Sequence, residues 1–162
     1  IQRELFARWE RAGQGAFAEI PDLATVTRPR LDALTPRLLR ELAAFLTDSP
    51  SSPIRRFTPA GADVDSVIDL RAVFQQGHRD LKVQELPSIL LPRKGCFGLI
   101  DYEKAFCPDL KNGPDIFDLR AIDRAKGAMV VVRPDQYVSN VLPLDAHDEL
   151  VAFFGRFMLD RQ

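Results

Sequence analysis

Two cysteines, two histidines and two dense polar runs hold the side chains of this sequence best equipped for chemistry. Cys96 follows Arg93, Lys94 and Gly95, and neighbouring cations lower a thiol's pKa and favour the reactive thiolate. The plainer reading is a free thiol packed beside Phe97, because no base lies close in sequence. Cys107 precedes Pro108 at the end of an apolar run and reads as a packed thiol. Ten residues separate the two cysteines, which makes neither a CxxC redox pair nor a disulfide framework. His78, in QGHRD, and His147 stand far apart, and no recognised spacing supplies the convergent ligands a metal would need. His147 falls near a helix amino end, where a neutral ring is preferred, and is expected at the surface.

The polar runs offer contact chemistry. In RPDQY, Arg133 can anchor a carboxylate bidentately and Tyr137 can bury a ring with a polar tip, so that Arg133, Asp135 and Tyr137 form a candidate interface. Equally, Pro134 and Asp135 can simply shape a turn while Arg133 pairs with a nearby carboxylate. Asp101, Tyr102, Glu103 and Lys104 form the second run, with Asp101 and Tyr102 as candidate contacts, and a solvated charged turn explains them as well. GQGAFA, at Gly13 to Ala18, has the glycines of a dinucleotide fingerprint but lacks the preceding strand and following helix, and reads as a flexible turn. No catalytic, cofactor-binding or metal-binding residue is assigned.

The elements that must position these groups are clearest at the carboxyl end. Met129 to Arg133 is a continuous β-branched run, expected as a strand buried on both faces, and Tyr137 to Leu142 alternates as a strand packed on one side. Pro134 and Asp135 suit the corners of a type I turn, which leaves Gln136 at a left-handed position. Asp145 is placed to cap a helix, Asp148 and Glu149 load its first turn, and Leu150, Phe153, Phe154, Phe157 and Met158 repeat at helical spacing.

Upstream, Gln2 to Arg11 reads as a short charged helix with Leu5, Phe6 and Trp9 on one side. Thr35 and Pro36 are expected to open a helix with Leu38, Leu39, Leu42, Phe45 and Leu46 as its buried stripe, ending at DSPSSP. Ile54 to Thr58 is expected as a short edge segment and Val67 to Phe74 as a strand. Gln75 to Leu91 offers a helical turn broken at Pro87. A turn at Arg93 to Gly95 leads to Phe97–Ile100, strand or buried loop, and residues 108–115 form a surface loop.

Composition narrows the classes. At 162 residues and 46% hydrophobic content the chain can build one proper core. Twenty-two basic against twenty-three acidic side chains leave a charge of −1, without the electrostatic footprint of a nucleic-acid or anionic-membrane binder. No apolar run reaches membrane-span length and the first residues lack the apolar core of a signal peptide, so the expected location is cytoplasmic. The chain opens on Ile rather than Met, which points to a fragment, a trimmed chain or disordered residues left uncounted before it.

RPDQYVSNVLPLDAHDELVAFFGRFM, with GLIDYEKAFCPD, DIFDLRAIDRA, FTPAGADVDSVIDLRAVFQQ and LLPRKGCFGLIDYEK upstream, resembles the carboxyl-terminal domain of the phenol 2-monooxygenase and 3-hydroxybenzoate 4-monooxygenase group of FAD-dependent aromatic hydroxylases. The resemblance runs from about Leu38 to Met158. It implies an α/β, thioredoxin-like three-layer fold with a central mixed sheet and a C-terminal β-hairpin plus helix, here without CxxC. Residues 1–30 then form an N-terminal extension that does not read as the family's first strand, and residues 31–162 the domain. The role implied is structural and dimerising rather than catalytic, with the FAD- and substrate-holding domains of the parent monooxygenase as partners and as a homodimer. FAD and NADPH would serve the parent enzyme, not this chain. Two other readings stay open: a stand-alone thioredoxin-like redox protein, and a module that binds a small aromatic ligand.

Overall fold

The computed structural model describes residues 28–109, 111 and 113–159, so the Gln2 to Arg11 and GQGAFA expectations lie outside the described residues. Helix α1, Arg28–Asp48, is followed by a short α2, Pro53–Phe57. A run of short elements comes next: β1 (Ala72–Val73), two 3-10 turns at Val83–Glu85 and Ser88–Leu90, β2 (Arg93–Lys94), β3 (Leu99–Ile100), β4 (Ala105–Phe106) and α3 (Ile116–Leu119). The chain closes with β5 (Met129–Val132), β6 (Val138–Leu142) and α4 (His147–Phe154). The fold is mixed α/β, and among the described residues the ladders form three two-stranded sheets: β1 with β4 in parallel, β2 with β3 and β5 with β6 antiparallel.

One core gathers these pieces. Leu42 and Leu46 of α1, Ile54 of α2, Ile89 and Leu90 of the second 3-10 turn, Met129 and Leu142 of the last hairpin and Leu150 of α4 are buried together. The stripe expected on α1 is the one used: Leu42 and Leu46 are buried, and Leu38, Leu39 and Phe45 pack against them. The helix start differs. It begins at Arg28, with Pro36 inside, so Thr35 is not its cap.

Pro53–Phe57 is helical, so Ile54 to Thr58 is not the edge segment expected. Pro53 opens the turn with its φ preset, and the buried Ser52 Oγ donates to the Leu46 carbonyl at 2.7 Å, tying α2 to the end of α1. Of Val67–Phe74, expected as a strand, only Ala72–Val73 forms one, although Ile68, Leu70, Ala72 and Phe74 pack against the core. Only Ala72–Val73 is paired, because the partner segment offers just Ala105–Phe106 before turning away, with Ala72 N–H on the Lys104 carbonyl and Phe74 N–H on that of Phe106.

The last hairpin forms where the sequence places it, but the alternation expected along Tyr137 to Leu142 is broken by a register shift between Val131 and Val132. Gln136 N–H donates to the Arg133 carbonyl at 2.8 Å, closing the turn, and Gln136 has φ +67°. The expectation for Met129–Arg133 needs correcting: Met129 is buried, but Val130 and Val132 are exposed, so the strand is one-faced. No second layer covers its outer side among the described residues. At α4 the capping position is Ala146, one residue past Asp145, with no side-chain cap bond; Asp145 instead accepts from His147 N–H through its backbone carbonyl. The helix stops at Phe154, where Gly155 follows and a tightened turn carries Phe157 and Met158.

Candidate functional site

Only part of the polar run at 101–104 is solvated: Tyr102 and Glu103 are exposed, while Asp101 and Lys104 enter an ion cluster. Lys104 is almost wholly enclosed, and its ammonium contacts Asp65 Oδ2 at 2.6 Å, Asp101 Oδ2 at 3.6 Å and Asp69 Oδ1. Lys94 reaches the same Asp65 oxygen at 2.7 Å and Asp101 at 3.1 Å, and Arg71 pairs with Asp69 at 2.9 Å. The cluster staples the 61–71 segment to the 93–106 segment, where regular hydrogen bonding is scarce. Burial alone pushes the Asp65 and Asp69 carboxyls up, but the Lys104 bond, seconded by Lys94 and Arg71 respectively, pulls both below the ordinary carboxylate range. For Asp101 the Glu103 backbone N–H and then Lys94 lower it. Burial acts to lower Lys104, yet its bonds to Asp65 and Asp69 hold it above its usual value; Lys94 is raised by Asp65 and Asp101. Asp65 and Asp69 carry no local sequence signal that would have pointed to this pairing.

Of the candidate contacts, Asp101 therefore belongs to this cluster, while Tyr102 beside it is exposed. The hairpin above carries a turn at Gly95–Gly98 rather than at Arg93–Gly95, because both glycines supply the positive φ, +65° and +59°, that the reversal needs. Phe97 at its tip is 86% exposed and Leu99 is exposed too, so the segment is neither a buried loop nor a shelf for Cys96, which is itself exposed. Arg133, Asp135 and Tyr137 come together in the other turn. Arg133 Nη2 binds Asp135 Oδ2 at 2.6 Å, the local pairing that the plainer reading foresaw, and the Tyr137 ring is exposed rather than buried. No hydrogen bond or ion pair joins this set to Asp101 or Tyr102 among the described residues.

His147 departs from its expected surface position. Its ring stacks on Phe45 of α1 at 4.5 Å and 8°, with Nε2 buried, because α4 folds back onto α1. His78 is exposed. Burial pushes the Cys107 thiol up, away from the thiolate that exchange chemistry requires. A second ion cluster joins Arg124 to Asp115 at 2.7 Å and Asp118 at 2.8 Å, and Asp115 caps α3 by accepting from Phe117 and Asp118 N–H. Asp115 before IFDL is the capping signal that reveals this helix. Leu46, Thr47, Ile54, Arg55, Val64, Ser88 and Ile89 line an open, mostly apolar cleft. No helix among the described residues is long and apolar enough to cross a membrane.

The densest polar groups of this arrangement pair with one another, and both hairpins expose apolar side chains, among them Phe97, Leu99, Val130, Val132, Val138 and Val141. Residues 30–162 match the family model for the phenol hydroxylase C-terminal dimerisation domain, and the chain belongs to that family. Among its relatives are a 3-hydroxybenzoate 4-monooxygenase of Comamonas testosteroni, 58% identical over 121 residues, which cover 74% of this chain and 19% of that protein. An FAD-dependent monooxygenase, terD, of Aspergillus terreus is 33% identical over 123 residues, 74% of this chain and 20% of its own length. The chain thus spans about a fifth of the length of the curated relatives it matches.

Proposed function

We propose that the chain is the structural and dimerising C-terminal domain of an FAD- and NADPH-dependent aromatic hydroxylase acting on a phenol or hydroxybenzoate, and that it is not itself catalytic. The observation that carries this is the family match over residues 30–162, with 58% identity to the Comamonas enzyme. FAD and NADPH would be held by the preceding domains of the parent, in the cytoplasm. The finer architecture proposed is the thioredoxin-like three-layer fold over residues 31–162, with 1–30 as an extension; the parallel β1–β4 pair and the terminal β5–β6–α4 unit fit it. Arg133, Asp135, Tyr137, Asp101 and Tyr102 are proposed as contacts within the parent assembly. Tyr137 and Tyr102 suit that role best, because both rings are exposed. The redox reading loses ground to the upward shift at Cys107.

A chimera tests the proposal. This chain replaces the matching fifth of the Comamonas enzyme, and sedimentation, flavin absorbance and hydroxylation of 3-hydroxybenzoate are measured. A dimeric, yellow, active chimera is expected; a monomeric one, or flavin bound by this chain in isolation, refutes it.

A further inference from the structure

The β5–β6 hairpin presents four valines on one uncovered face. Val130 stands opposite Val141 and Val132 opposite Val138, and these are 44%, 38%, 53% and 51% exposed. Their neighbours Met129, Val131, Asn140 and Leu142 occupy the other face, toward the core. Strict alternation along β6 would put Val138 on the core face with Asn140 and Leu142. A bulge prevents this: the register shifts between Val131 and Val132, so that Ser139 is the extra residue and Val138 returns to the outer face beside Val132. Ser139 Oγ donates to the Val131 carbonyl at 3.1 Å, which fixes the irregularity in place. A strand that breaks its ladder to add a fourth valine to solvent has gained nothing for the core of this chain.

We propose that this valine face is the surface on which a second copy of the chain seats. The proposal rests on the dimerising role argued above and adds its location. Charge selects the occupant. A two-fold interface sets one patch against its own copy, so the patch must not repel itself. The valine face carries no formal charge, and the ions at its end, Arg133 and Asp135, are paired with each other at 2.6 Å. The other exposed apolar hairpin, with Phe97 and Leu99, fails this criterion. Arg93 lies beside it, exposed, its guanidinium on the Gly98 carbonyl at 3.0 Å and with no carboxylate partner among the described residues, so self-pairing would bring two such cations together. Rigidity favours the valine face as well, since strands of four and five residues with a closed turn lose little freedom on docking.

The experiment is sedimentation velocity on the chain across a concentration series, with circular dichroism to verify folding. The pair Val132→Lys and Val141→Lys is expected to raise the dimer dissociation constant at least about tenfold, equivalent to about 1.4 kcal/mol. Val132→Thr with Val141→Thr keeps β-branching and shape, and is expected to weaken the dimer in the same direction by less; it decides the matter if the lysine pair does not fold. Phe97→Ser with Leu99→Ser is expected to leave the constant unchanged. Valine variants that dimerise like the parent chain, or dissociation caused by the Phe97 and Leu99 pair, overturn the surface while leaving the dimerising role intact. A parent chain that is monomeric throughout overturns both.

Discussion

The two antiparallel hairpins among the described residues are held by different physics. Residues 129–142 form a ladder with one face in the core, so that Met129 and Leu142 anchor it by apolar burial. Residues 93–100 pair only Arg93 with Ile100 and Lys94 with Leu99, expose Phe97 and Leu99, and are fixed from below by Lys94 and Lys104 on Asp65, Asp69 and Asp101. Where a ladder is too short to bury apolar surface, a compact ion cluster fixes the segment instead. Such a cluster positions more sharply than it stabilises, because desolvation of each ion offsets much of the attraction.

Removing the central cation should expose that difference most strongly. Lys104→Met removes the one enclosed cation and leaves Asp65, Asp69 and Asp101 with only the outer Lys94 and Arg71, and a loss of about 3–5 kcal/mol in urea unfolding is expected. Leu142→Ala, the matching lesion in the other hairpin, is expected to cost about 2–5 kcal/mol through lost transfer energy and a cavity. Hydrogen exchange separates the two: the lysine variant should lose protection at Ala72 and Phe74, and the leucine variant along 129–142. Uniform loss of protection in both would dissolve the distinction between ion-held and ladder-held regions.

Acidity offers a gentler probe of the same contrast. Asp65, Asp69 and Asp101 are held below their ordinary range, so their contribution is complete above the unfolded value of about 3.9 and is lost as pH falls through the lower folded values. Lys94 and Lys104 are held above theirs, so their contribution is complete below about 10.4 and is lost as pH rises through the folded values. The melting temperature is expected to be flat between these limits and to fall outside them. In Lys104→Met the acid-side fall should shrink, whereas in Leu142→Ala it should keep its slope. An unchanged acid limb in the lysine variant would show that the cluster carries no linkage.

Asp115→Ala comes next in size. It removes the cap of α3 together with a carboxylate bound to Arg124, and a loss of about 1–2 kcal/mol is expected. Retention of the parent melting temperature would mean that Arg124 needs no bond to Asp115 and that the helix needs no cap.

The same contrast explains what the sequence disclosed. Periodicity and turn chemistry are local, so the α1 stripe, the β5–β6 hairpin and the left-handed Gln136 were legible. The ion cluster was not, because it joins Asp65 and Asp69 to Lys94 and Lys104 across more than twenty positions, and no spacing rule links such groups. The one-faced character of β5 was misread for a related reason. A continuous valine run looks alike whether its second face meets another layer of its own chain or a separate surface. The position of His147 depended on where α4 docks, which its own turn does not encode. Of the candidate site, the RPDQY turn was legible as geometry, and Asp101 was found without its partners.

The smallest effect expected is also the one whose sign discriminates best. Gln136 and Gly98 have nearly the same backbone twist, φ +67° and +59°, one in each hairpin. A side chain there costs about 1 kcal/mol, so Gln136→Gly relieves strain in the folded state while adding freedom to the unfolded chain, which takes back about half of it. A net stabilisation of a few tenths of a kcal/mol is expected, on the order of 0.5. Gly98→Ala should do the opposite and destabilise by about 1 kcal/mol, since an added Cβ would meet no atom within 4 Å and the penalty is conformational alone. If both changes destabilise, then Gln136 makes a contribution beyond its backbone. If both are neutral, the turns follow their strands, and the geometry of each hairpin is set by the ladder or by the ions beneath it.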